Sequence, residues 1–186
     1  MPTATFESRA AIDQIAIERD WLEIVNLFLR KWFDGGTHTV DAGDPATVDL
    51  AFPAVSLYLF GTEELPKETP AGAAHFHTIL TANEPVARHR RGQTLATKLI
   101  RRRLRWTHYV RVPHQGNNEH AAAFKAMEIA DRLTLLYEHA PATDLARKNL
   151  QRLKVTSGPV EMPMPGYAVR LIALEAEAFI ERKMGE

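Results

Sequence analysis

The chain has 186 residues, of which 45% are hydrophobic, 25% charged and 8% aromatic. This is ordinary globular composition and excludes a fully disordered or fibrous chain. No cysteine is present, which excludes disulfide scaffolds, thiolate zinc sites, iron–sulfur clusters and cysteine nucleophiles. Basic and acidic residues balance at 23 each, so whole-chain charge gives no pull towards nucleic acid or a membrane.

The nearly apolar stretch Ala51 to Phe60 falls short of the roughly 20 residues that a membrane helix needs. The opening MPTATFESRA lacks the basic start and apolar centre of a secretory leader. The expectation is a soluble protein of a reducing compartment. The neutral total nevertheless hides a segregation. From Val86 to His114 there are nine Lys or Arg residues and no acid, leaving 14 basic against 23 acidic residues elsewhere. Charge blocks of this kind bear on partners more than on fold.

In chain order, Ser8 to Phe33 reads as a helix, with Ile17, Trp21, Ile24, Val25, Phe28 and Trp32 forming one stripe. Asp34-Gly35-Gly36 stops it. Thr37 to Val48 reads as a short strand broken by a turn at Asp41 to Pro45, and Phe52 to Phe60 as a strand with Pro53 at its start or on an edge. Gly61 to Gly72 has no period and reads as an exposed loop, followed by a strand from His75 to Thr81. Gln93 to Pro113 is the longest strand-like run. Ile100, Leu104, Trp106, Val110 and Val112 share one parity, and Leu99, Arg101, Arg103, Arg105, Thr107, Tyr109 and Arg111 the other. That pattern predicts one buried and one basic face, with Arg102 an exception on the buried parity. Asn118 to His139 reads as a capped helix with a stripe from Ala122 to Tyr137, and Thr143 to Lys148 as a short helical piece. Leu150 to Val155 and Tyr167 to Phe179 read as closing strands joined by a proline-rich loop, Ser157 to Gly166. The fold class predicted is α+β, a mainly antiparallel β-sheet flanked on one face by an N-terminal helix and a central long helix.

Three constellations could carry function. His75 and His77 share a strand face and could reach one zinc or iron, with Glu84, His108, His114 or His120 as further ligands. The bland alternative is two ordinary histidines on an exposed face. Arg88 to Arg91 and Arg101 to Arg105, with Trp106 and Tyr109 close by, could bind phosphates. No recognised nucleic-acid module accompanies them, and the acidic excess elsewhere favours contact with another copy of the chain. Glu175 and Glu177 share a face as a carboxylate dyad or a polar outer surface. No phosphate-cradling, dinucleotide or nucleophile-elbow motif occurs, so no catalytic residue, cofactor or metal is assigned and the chain is not expected to be an enzyme.

Trp32-Phe33-Asp34-Gly35, then Phe52-Pro53-Ala54-Val55-Ser56-Leu57-Tyr58-Leu59-Phe60-Gly61 with Glu63-Glu64-Leu65 after it, resembles the tail terminator proteins of long-tailed bacteriophages. Lambda-like members begin with a helix ending in a similar turn, followed by a similar strand and an acidic loop. The resemblance implies one tail-terminator-like α+β domain over residues 1–186. It also implies a hexameric ring that caps the tail tube and docks to the head-side connector or stopper protein, in the virion tail or neck and in the host cytoplasm during assembly. Its partners would be other copies of the chain, the tube protein and the connector, with a passing contact to genomic DNA and no membrane. On this reading Arg101, Arg103 and Arg105 lie at a subunit interface or face the channel. Glu63, Glu64, Met162 and Met164 belong to loops contacting tube or connector. The alternatives are a metal-dependent enzyme using His75 and His77, and a nucleic-acid-binding module using the arginine-rich strand.

Overall fold

The computed structural model describes residues 21, 23–41, 47–59, 74–86, 97–114, 116, 118–139 and 150–183. Helix α1 covers residues 23–32, with Trp21 also helical. Strands β1 (Thr37–Asp41), β2 (Thr47–Ala51), β3 (Ser56–Leu59), β4 (His75–Pro85) and β5 (Thr97–Pro113) follow, then helix α2 (Glu119–His139) and strands β6 (Leu150–Met164) and β7 (Tyr167–Lys183). The expected elements within 1–20, 60–73 and 140–149, the start of the strand read from Gln93, and the cluster Arg88 to Arg91 lie outside the described residues.

Two sheets result. β1 and β2 form an antiparallel hairpin, and the other five strands are ordered β3-β4-β5-β7-β6. Every pair is antiparallel except β3 with β4. The α+β class with a mainly antiparallel sheet is therefore as the periodicities predict. β5 and β7 pair from Thr97↔Lys183 to Pro113↔Tyr167 without a register shift.

Both helices pack on the face carrying the even-numbered residues of β5. Trp21 meets Trp106 edge-on at 5.7 Å, Phe33 meets Phe76 at 4.8 Å, and Phe28 contacts Tyr137 of α2 at 5.2 Å. The α2 stripe Ala122, Ala126, Ile129, Ala130, Leu133, Leu136 and Tyr137 is buried throughout, and Asn118 Oδ1 accepts the Ala121 amide at its start. One hydrophobic cluster joins both helices to the sheet.

The turn after α1 is built as its residues demand. Asp34 Oδ1 accepts the Gly36 amide at 2.7 Å and also bonds His38, which holds the Asp34 carboxyl below its ordinary range. Gly35 sits at φ +90°, a conformation that side chains resist, and a Cβ there would lie 3.5 Å from Ala54 Cβ. Phe52 donates its amide to Gly36 O at 2.8 Å and packs its ring on Trp32 and Phe33.

Besides β7, which runs on to Lys183, three elements differ from the periodicity. Phe52 to Val55 is irregular, and β3 begins only at Ser56, because Phe52 is drawn into the core and Pro53 has no amide for a ladder. β4 runs on to Pro85, with an irregularity between Leu80 and Ala82. Ser157 to Met164 is not a loop: β6 continues through it to a tight turn at Pro165-Gly166. Three register shifts in β6 and its place at the sheet edge accommodate Pro159 and Pro163.

Phe52→Ala removes the ring joining the turn after α1 to the core, and a loss of about 3–5 kcal/mol is expected. Urea unfolding checks this as a lowered midpoint at unchanged slope.

Candidate functional site

The odd-numbered residues of β5 face away from both helices, and the acids that this strand lacks come from its neighbours. Glu175 lies opposite Arg105, and Glu177 opposite Arg103. Glu175 accepts from Arg105 Nε at 2.8 Å, lies 3.2 Å from Lys154 Nζ and 3.8 Å from Arg103. These cations, Arg105 foremost, hold its carboxyl below the ordinary range. Glu177 accepts from Arg101 Nε at 2.7 Å and from Arg152 at 3.4 Å. The two carboxylates are thus the counter-ions of the arginine strand, not an acid–base dyad.

Two strand irregularities bring further groups to this face. The extra residue Thr81 shifts the parity of β4, so that Glu84 pairs with Arg103 and its carboxylate lies 3.2 Å from Arg105. The same shift turns Asn83 to the other side, where its Oδ1 accepts from Arg102 Nε at 2.7 Å. That contact explains the charged exception on the buried parity. In β6 the shift between Gln151 and Lys154 places Lys154 opposite Glu175 and sets Arg152 at φ +53°. Bulges re-aim side chains in this way, but one inserted residue leaves no periodic mark, so Lys154, Arg152 and Asn83 carry no sequence signal.

Arg111 does not join the exposed basic face. It is 1% exposed, its guanidinium lies 4.4 Å from the Tyr167 ring centre, and it approaches His77 Nε2 at 3.3 Å. His75 and His77 are buried rather than exposed, with rings 5.1 Å apart. Burial, then the charge of Arg111, lowers the pKa of His77 to about 4. Glu84 pairs six residues farther along β5 than His77 does, about 20 Å away. His108 lies on the opposite face, and His114 and His120 border a cleft near the start of α2. Among the described residues no three His, Asp or Glu side chains gather to hold a metal.

His108 is the centre of a buried network instead. Trp106 Nε1 can only donate, and it lies 3.0 Å from His108 Nε2. The ring proton therefore sits on Nδ1, which donates to Thr78 Oγ1 at 2.7 Å, while Nε2 also accepts from Tyr137 OH at 2.8 Å. A second ring proton would face the Trp106 N–H, and burial lowers the pKa of His108 to about 3.

Met162 and Met164 lie in the last turnward stretch of β6 rather than in a loop. They help line a cleft of about 540 Å³ with His114, His120, Glu161 and Arg170. Glu161 pairs with Arg170 at 3.0 Å on its wall. Glu63 and Glu64 lie outside the described residues. Among the described residues no helix is long and apolar enough to cross a membrane.

No family model matches the sequence, and no curated protein matches it.

Two outcomes follow from these contacts. Glu177→Ala removes the buried carboxylate that Arg101 and Arg152 share and is expected to cost about 1–3 kcal/mol, whereas Arg103→Ala costs under about 1 kcal/mol. Urea midpoints of the two variants check the order. Separately, unfolded histidine protonates near pH 6.5, but folded His77 resists to about 4 and His108 to about 3. The unfolded chain binds more protons between these limits, so stability falls as pH drops from 6.5 towards 3. A urea series over that range checks the fall, and the His108 ring resonance should stay flat through about pH 5.

Proposed function

We propose that the chain is a structural subunit of a ring that caps a phage tail tube and joins it to the head-side connector. The observation that carries this reading is the junction of the two motifs behind the resemblance. Trp32-Phe33-Asp34-Gly35 and Phe52-Pro53-Ala54-Val55 lie apart in sequence but meet in space. Val55 donates to Phe33 O at 3.4 Å, Phe52 donates to Gly36 O, and Phe33 packs edge-on to Phe52 at 5.3 Å. The similar residues are thus a single structural unit, each constrained by the other, rather than two unrelated short matches. The sheet with both helices on one face, and the order of helix, strands, long helix and closing strand pair, also accord with the resemblance.

The arginine strand takes a narrower role here. Arg101 and Arg105 are committed to Glu177 and Glu175 of the same chain, so in a ring the subunit contact would rest on the surplus charge around Arg103.

Light scattering after gel filtration, over a concentration series, tests the ring. A hexameric mass, or a monomer giving way to that mass, is the expected result. Electron microscopy of tail tubes mixed with the protein tests the cap. Rings seated on tube ends are expected, and bare ends at saturating protein overturn the tail assignment.

A further inference from the structure

We propose that the outer face of α2 on one copy docks on the arginine-bearing face of the sheet of the next copy, so that subunits join head to tail. This rests on the ring reading and names the surfaces that would build it.

The α2 face opposite its buried stripe carries Phe124, Met127, Glu128 and Asp131. Their spacing of i, i+3, i+4 and i+7 puts them on one side of the helix. Phe124 is 67% exposed and Met127 41%, and Glu128 and Asp131 are also exposed. An aromatic ring and a thioether held in water beside two carboxylates form an amphipathic contact surface.

The sheet face on the other side of the subunit has the complementary character. Among the described side chains, Arg101, Arg103, Arg105, Arg152 and Lys154 surround Glu84, Glu175 and Glu177, so cations outnumber carboxylates there. Glu175 is shared by three of them, and the side chains of Arg103 and Lys154 remain 41% and 62% exposed. Val160, opposite Leu171 and so on this same face, is 51% exposed, and Tyr109 and Leu171 are half-buried beside it.

Charge selects the pairing. Two α2 faces together would oppose Glu128 and Asp131 with the same acids, and two sheet faces would oppose cations with cations. Only the unlike faces attract. Because they lie on opposite sides of the subunit, the contact is heterologous and each copy passes it to the next, as a closed ring requires. Growth through the sheet edge is disfavoured, because β6 carries three register shifts together with Pro159 and Pro163.

The test uses two charge-reversed chains, Arg103→Glu with Lys154→Glu, and Glu128→Lys with Asp131→Lys. Circular dichroism confirms that each is folded, and light scattering follows assembly. Each variant alone is expected to need roughly tenfold or more protein than the wild type to assemble. An equimolar mixture should recover wild-type assembly, because native and doubly reversed contacts alternate. Phe124→Ser leaves every charge in place and should weaken assembly in the same direction.

Reversed chains that assemble like the wild type, or a mixture no better than its components, overturn the contact. So does a wild type that stays monomeric at every concentration. A wild type that assembles through these faces yet never caps tubes supports the contact and overturns the tail assignment alone.

Discussion

The unbroken antiparallel pairing of β5 with β7 is the constraint on which the rest of the structure hangs. Its register sets Glu175 and Glu177 among the arginines on one face, and in the same step sets Ile172 and Leu174 beside His108 and Trp106 on the other. A slip by one residue would exchange the faces of one strand. Glu175 would then point into the core beneath the helices and Leu174 would lie among the guanidinium groups. Both errors are costly, so ionic and hydrophobic requirements enforce one register together.

Much of this was legible in the sequence because it depends on period. The alternation along β5 identifies its buried and basic faces, and the 3.6-residue stripe of α2 identifies every side chain that α2 buries from Ala122 to Tyr137. The Asn118 cap follows from residue type alone. The illegible parts trace to single inserted residues and to long-range contacts. Thr81 shifts the parity of β4 with no glycine or proline to announce it. Pro159 and Pro163 imply a loop, yet an edge strand tolerates them because one side of its ladder is unused. Arg111 has the parity of the exposed arginines but is buried against Tyr167, a partner more than fifty residues away. His108 resembles a spare metal ligand until Trp106, Thr78 and Tyr137 are seen to occupy its ring nitrogens.

Segregated charge therefore serves at two scales. Within the subunit it is largely cancelled across the β5–β7 pair, with each carboxylate serving more than one cation. Among the described residues the remainder leaves surplus cations around Arg103 and Lys154 on the sheet face and exposes Glu128 and Asp131 on the outer face of α2. Composition alone conceals it.

The separation of β5 and β7 along the chain has a consequence for synthesis. The ribosome delivers β5 well before β7, and the whole of α2 and β6 must be made in between. Contacts so distant in sequence form late. Through that interval the apolar face of β5 waits without its β7 neighbour, which is the condition under which nascent chains associate wrongly. Its other face meanwhile carries arginines whose β7 acids, Glu175 and Glu177, have not yet been made. Two such unfinished strands repel one another, so residues that become neutralised in the finished sheet act as gatekeepers while it is incomplete.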